Sequence, residues 1–206
     1  MQYQSLSDNI NILYDRAFLS KEEADYFFNY LNTNLKYNSK EESKVMIHGQ
    51  YHYIPREQSA YGDIGTYYRF AGNKVISRQW THDNCGKVIL AIKKRVEKYT
   101  GKFYNFVLIN RYKDGNSYIG PHSDDERDLV EGSSIVGVSL GASRIFKFQT
   151  RTNNNPIKYT KPININVDHG SIVEFRDPTN KYWKHSLPKL TNCKNSRISL
   201  TFRTMK

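Results

Sequence analysis

Cysteine is nearly absent from this chain: Cys85 and Cys193 are the only two in 206 residues, far apart and outside any C-x-x-C pattern. That excludes a disulfide framework and a cysteine-built zinc site, and it points to a reducing compartment. Long apolar runs are missing too. The longest clean one covers residues 88–92 and the opening MQYQSLSDNI is polar, so neither a transmembrane helix nor a signal peptide is expected. The expectation is a soluble, intracellular protein, with nothing to separate nucleus from cytoplasm. Acids are also scarce: 20 Asp and Glu stand against 31 Lys and Arg, a formal charge of +11. A surplus of that size favours polyanionic partners.

Aromatic residues are plentiful, at 14% with 16 tyrosines. Stacking groups interleaved with positive charge suit nucleic acid better than lipid. The length and a hydrophobic fraction of 38% suit one domain. Its expected divisions are an N-terminal helical extension over 1–44, hairpins over 45–78, and a helix followed by strands over 79–206.

Ser20-Lys21-Glu22-Glu23 is a capping box, and Ala24, Phe27, Phe28 and Leu31 follow at helical spacing, which predicts a helix over residues 20–32. A second helix is expected over 87–99, with Val88, Ile89, Ile92, Val96 and Tyr99 on one face. Beyond Thr100 the pattern becomes short β-branched and aromatic segments at 106–112, 135–140, 145–150, 163–167, 171–175 and 198–202. Turn-rich pieces separate them, including the Asn-rich 153–155, so a barrel or jelly roll is expected. The stretches YHYIP and GTYYRF read as hairpins appended to it.

The chemistry concentrates in YIGPHSDDERD, residues 118–128. His122 and Asp124 are one residue apart, so on an extended segment they point the same way. The pattern is weak by itself, since six histidines and twenty acids in this length give about 0.6 such pairs by chance. A later histidine strengthens it, because two His and one carboxylate on one octahedral face are the ligands of non-haem Fe(II) oxygenases. His169 sits before a glycine in a turn; His185, expected at a strand end near the barrel mouth, is the better candidate. In Arg197-Ile198-Ser199-Leu200-Thr201-Phe202-Arg203 the polar residues alternate with apolar ones, which lines two arginines along one strand face. A dicarboxylate co-substrate gives such guanidinium groups a partner.

These pieces together, Asn105-Phe106-Val107-Leu108-Ile109-Asn110-Arg111-Tyr112-Lys113-Asp114-Gly115, His122-x-Asp124-Asp125-Glu126, His185-Ser186-Leu187-Pro188 and Arg197-x5-Arg203, resemble the AlkB-type 2-oxoglutarate- and Fe(II)-dependent dioxygenases. Within that family the likeness is strongest to the animal branch that repairs alkylated bases in double-stranded DNA, and it covers residues 45–206. The resemblance implies a mainly β protein with flanking helices (α+β), a double-stranded β-helix of the jelly-roll, cupin-like type. It implies Fe(II) on His122, Asp124 and His185, 2-oxoglutarate on Asn110, Tyr112, Arg197, Thr201 and Arg203, and O2 as the oxidant. The implied reaction hydroxylates the N-methyl group of 1-methyladenine or 3-methylcytosine, releasing formaldehyde and succinate.

Ile54-Pro55-Arg56-Glu57-Gln58 and Tyr61-Gly62-Asp63-x-Gly65 match the family's nucleotide-recognition hairpins. The implied substrate set is His48, Gly49, Gln50, Tyr68, Arg69, Phe70 and Asp125, with Asp125 facing a cationic base that Tyr68 or Phe70 can stack upon. One position departs: the duplex-repair branch carries a bulky aromatic wedge where this chain has His48. Double- and single-stranded DNA, with RNA as the alternative, therefore stay open as partners of an expected monomer. Lys44, Arg56, Lys74 and Arg144 are candidates for phosphate contacts. A silent nucleic-acid-binding module and a zinc hydrolase are the rival readings; the complete ligand set opposes the first, and Arg197 with Arg203 the second.

Overall fold

The computed structural model describes residues 2–4, 9–47, 49–70, 73–124, 127–151 and 161–206. At the N-terminus β1 (Gln2–Gln4) pairs antiparallel with β2 (Asn11–Asp15), and α1 (Lys21–Asn34) follows. The hairpin of β3 (Lys44–Ile47) and β4 (Gln50–Tyr53) comes next, then β5 (Glu57–Gly62). A second hairpin, β6 (Tyr67–Phe70) with β7 (Asn73–Ile76), leads through β8 (Arg78–Gln79) to α2 (Asn84–Thr100). The remainder comprises β9 (Phe106–Tyr112), β10 (Ile119–His122), β11 (Ile135–Gly141), β12 (Arg144–Thr150), β13 (Ile163–Val167), β14 (Ile172–Arg176), the one-turn α3 (Thr179–Tyr182), β15 (Trp183–Leu187) and β16 (Arg197–Arg203).

Apart from the β3–β4 and β6–β7 hairpins, the strands form two facing sheets of a jelly roll. The major sheet has eight strands in the order β1-β2-β14-β11-β16-β9-β5-β8, and the minor one four in the order β10-β15-β12-β13. Helices α1 and α2 cover the outer face of the major sheet. Strands β5, β9, β11, β14 and β16 are thus buried on both sides, and alternation decides what each side sees. On β16, Ile198, Leu200 and Phe202 meet Phe27, Leu31, Ile89, Ile92 and Val96 of the helices. Arg197, Ser199, Thr201 and Arg203 line the cavity between the sheets instead. Burying each of the three apolar side chains contributes about 1.5–3 kcal/mol, so a slip of one residue in β16 would turn both arginines into the helix-facing core. Register is fixed by that penalty.

Helices α1 and α2 each start where a side chain caps them. Ser20 and Glu23 form the reciprocal capping box of α1, as expected. In α2 the Asp83 carboxylate accepts from Gly86 N at 2.8 Å, which sets the start three residues earlier than the apolar pattern suggests. The six strands expected from β-branched and aromatic runs are all present, shifted by at most one residue.

Three expectations are corrected. The first 44 residues are not simply a helical extension, because β2 adds to the major sheet against β14, with Asn11 opposite Arg176 and Asp15 opposite Ile172. The 45–78 segment is not wholly appended, since β5 pairs with β9 in the major sheet; its sequence EQSAYG lacks β-branched residues, and burial on both faces replaces propensity. His185 lies at the centre of β15 rather than at a strand end, with β10 on one side and β12 on the other. The Asn-rich turn at 153–155 lies outside the described residues.

Candidate active site

Strands β10 and β15 bring the two histidines together. His122 and His185 are direct cross-strand partners, their ring centroids 4.2 Å apart. His122 Nδ1 lies 2.9 Å from the Gly120 carbonyl. A carbonyl only accepts, so Nδ1 carries the proton and Nε2 offers its lone pair. The Nε2 atoms of His122 and His185 lie 3.6 and 3.8 Å from Asp124 Oδ1. One ligand-type atom from each residue falls within 4.8 Å of the other two. His185 sits among Phe146, Phe148 and Phe175, at ring distances of 5.3, 6.2 and 5.0 Å. Burial, then the neighbouring His122, pushes its pKa down to about 3, against the pull of Asp124. Burial also lowers that of His122. Both imidazoles are neutral near pH 7, as ligands must be.

Asp124 lies just beyond β10 and is 2% exposed. Burial alone would raise its carboxyl pKa; Arg203 and the two imidazoles outweigh that and hold it below the usual carboxylate range. Arg203 Nη2 donates to Oδ2 at 2.7 Å, while the buried Oδ1 has no hydrogen-bond partner among the described residues. A desolvated anionic oxygen facing two imidazole nitrogens, one of them the His122 lone pair, is costly unless a cation sits between them. The donor set of two nitrogens and one carboxylate suits Fe(II).

The other end of the cavity is built by β9, β11 and β16. Asn110, Tyr112, Arg197, Thr201 and Arg203 line the same space as the three ligand candidates. Arg197 Nη2 donates to Ser139 Oγ at 2.8 Å, and its guanidinium lies 5.4 Å from the Tyr112 ring centroid. Burial lowers its pKa to about 10, so it stays charged. Its buried Nε has no hydrogen-bond partner among the described residues. Ser199 Oγ accepts a second, longer bond from Nη2 at 3.4 Å. A buried cation answered by neutral hydroxyls and a ring is prepared for a carboxylate.

Of the expected substrate residues, Tyr68 is buried at the cavity wall, stacked on Phe106 at 6.2 Å and under the Arg203 guanidinium at 4.8 Å. Arg69 is exposed and reaches Asp128 at 3.5 Å. Gly49 turns the β3–β4 hairpin with φ of 77°, where a side chain is strained, and Gln50 beside it is exposed. His48, Asp125 and the Phe70 side chain lie outside the described residues.

The four phosphate candidates divide. Lys44 and Lys74 flank the hairpins, over the Tyr51 and Tyr67 rings at 4.6 and 4.1 Å. Arg56 turns into the cavity, where Nε donates to Asn110 Oδ1 at 3.0 Å. Arg144 is not a surface cation at all. It is 2% exposed and donates to the carbonyls of Asp114, Ser117 and Pro188 at 3.2, 3.0 and 2.7 Å. Composition cannot distinguish such a buried tie from a solvated arginine. Ser139 and Asn180 also escape the sequence reading, being small polar residues whose partners are distant in the chain.

This arrangement has a family. Residues 11–203 match the 2OG-Fe(II) oxygenase superfamily, and the chain belongs to it: it is an Fe(II)- and 2-oxoglutarate-dependent dioxygenase that uses O2. Among curated proteins it is 39% identical over 189 residues to DNA oxidative demethylase ALKBH2 of Homo sapiens, covering 91% of this chain and 70% of that one. The Mus musculus protein of the same name is 37% identical over 205 residues, with coverages of 98% and 82%. Alpha-ketoglutarate-dependent dioxygenase alkB homolog 3 of Bos taurus is 33% identical over 121 residues, 57% of this chain and 42% of that one. A solved structure of OsALKBH1 shares the fold at a TM-score of 0.57 and 14% identity, over 98% of this chain and 100% of that one. Among the described residues no helix is long and apolar enough to cross a membrane.

Proposed function

We propose that this protein is an oxidative demethylase that restores alkylated bases in DNA, 1-methyladenine and 3-methylcytosine among them, with all 206 residues acting as one catalytic domain and as a monomer. One observation carries the reading: the ligand atoms of His122, Asp124 and His185 converge at one end of a cavity whose other end holds the buried Arg197 cation. Those three residues would hold Fe(II). Bound there with 2-oxoglutarate and O2, the metal supplies the oxidation that turns the N-methyl group into hydroxymethyl, which leaves as formaldehyde while succinate and CO2 form.

The chain's own groups do the rest. Arg197 binds a carboxylate of 2-oxoglutarate, with Asn110, Tyr112 and Thr201 beside it. Arg203 keeps Asp124 ionised so that both its oxygens accept. The aromatic wall of Phe146 and Phe175 limits water around the reacting atoms. Tyr68 offers a π-face at the cavity wall, and methylation at those ring nitrogens makes the base cationic, adding attraction of about 1–2 kcal/mol when desolvated. A base that cannot pair is also cheaper to flip out of the stack. Lys44 and Lys74 serve phosphates without reading sequence.

The test loads the metal-free protein anaerobically with Fe(II), admits O2, and measures succinate with and without a 1-methyladenine oligonucleotide. Stimulation by the oligonucleotide is expected, and His122→Ala abolishes it. Stimulated succinate that survives His122→Ala overturns the reading. His48 at the wedge position favours a second substrate, single strands or RNA, because an imidazole props open a stack less well than a phenyl ring. Turnover of methylated duplex, single-stranded DNA and RNA at fixed salt decides between them; faster RNA turnover reassigns the substrate.

A further inference from the structure

We infer that the one-turn helix α3 is a clip that fixes Asp124 in place and ties it to the N-terminal strand, with Asn180 as the positioning residue. The inference rests on reading His122, Asp124 and His185 as the metal site.

Strand β10 ends at His122, so the backbone of Asp124 has no ladder partner there. Asn180 stands in for one. Its Oδ1 accepts from Asp124 N at 2.9 Å, and its Nδ2 donates to the Asp124 carbonyl. A carboxamide has one acceptor and one donor side by side, the same pair that a strand presents to its antiparallel neighbour. The clamp acts on the backbone and leaves the carboxylate to Arg203 and the ligand point. Ser123 adds a third tie, donating to the Trp183 carbonyl at 3.1 Å.

The neighbouring Thr179 repeats the device in the other direction. Its buried Oγ1 accepts from Asn11 N at 2.7 Å and donates to the Asn11 carbonyl at 3.1 Å, across 168 positions of sequence. Asn11 begins β2. The hydrogen bonds thus run from β2 through Thr179 and Asn180 to Asp124, and α3 leads directly into β15, which carries His185. The N-terminal strand, whose sequence pattern revealed no part in the chemistry, becomes a support of the metal site. Two consecutive residues grip two distant segments, and the segment between the two grips is too short to stretch.

The test is anaerobic titration of the metal-free protein with Co(II), followed by its d–d absorption, in wild type, His122→Ala, Asn180→Ala and Thr179→Val. A residue that orients a ligand weakens metal affinity by about 10–100-fold when removed. Asn180→Ala is therefore expected to raise the Co(II) dissociation constant by about tenfold or more and to alter the band pattern, and Thr179→Val to raise it by less. A rise below about threefold in Asn180→Ala with unchanged bands, while His122→Ala loses the signal, overturns the clip and leaves the site standing. Co(II) bound equally well by His122→Ala sinks the site reading and the clip with it. Should Asn180→Ala fail to fold, Asn180→Gln keeps the uncharged carboxamide but moves it one methylene away from the Asp124 backbone, and is judged by the same thresholds.

Discussion

Arg197 and Arg203 share one face of β16 and one cavity, both almost fully buried, yet they keep opposite company. Arg203 meets a carboxylate, Asp124, at 2.7 Å. Arg197 meets two serine hydroxyls and a tyrosine ring, and no carboxylate among the described residues. The same residue type on the same strand therefore does two jobs. One guanidinium is neutralised within the chain and keeps an anion ionised; the other holds its charge in reserve for a ligand. A buried cation without a counter-charge weakens the fold, so its presence marks the place where binding, rather than folding, recovers the cost.

Removing each charge breaks that comparison in opposite directions. The largest effect falls on Arg203→Met, which strands the Asp124 carboxylate in the interior: urea denaturation of the metal-free protein is expected to show a loss of about 3–5 kcal/mol. An unchanged midpoint would mean that Asp124 does not depend on Arg203. Arg197→Met removes an uncompensated charge, so metal-free stability should hold or rise by about 1 kcal/mol. The same substitution should raise KM for 2-oxoglutarate about 30-fold, roughly 2 kcal/mol, with Co(II) affinity unaltered.

A pH series sharpens the contrast further. His185 has a folded pKa of about 3 against about 6.5 when unfolded. The unfolded chain thus binds the proton first, and stability present above about pH 6.5 is lost as pH falls toward 3. Asp124, also depressed, withdraws its contribution only below about pH 4. Arg197 stays charged up to about pH 10 and adds no slope in this range. The decline of metal-free stability between about pH 7 and 5 should therefore shrink in His185→Asn and persist in Arg197→Met. Smallest is the effect of Lys74→Ala, outside the cavity, which should lower the log–log salt slope of duplex binding by about 0.9 and leave KM for 2-oxoglutarate unchanged.

What could be read in advance follows from how local each signal is. The capping box of α1, the His-x-Asp pair and the alternation along β16 lie within a few residues, and the folded chain carries all three. His185 converges with His122 and Asp124, whereas His169 accepts from Gly141 N at 2.8 Å and reaches Asp25 at 3.1 Å, which ties α1 to the barrel. Arg144 was misjudged because its three carbonyl partners come from two distant loops. Strand β5 is not legible because EQSAYG has one strand-favouring residue, Tyr61, and gains its place from pairing with β9. Asn180 was invisible for the same reason. A side chain that pairs with backbone leaves no trace in either partner's residue type.

Strand β2 has one more consequence. Along β14, from Ile172 to Arg176, the N–H and C=O groups that point away from β11 are occupied by residues 11–15. Strip that strand away and a long, mostly apolar sheet margin opens to any other extended chain, an invitation to aggregate. A few residues at the start of the sequence thus keep the protein from sticking to copies of itself.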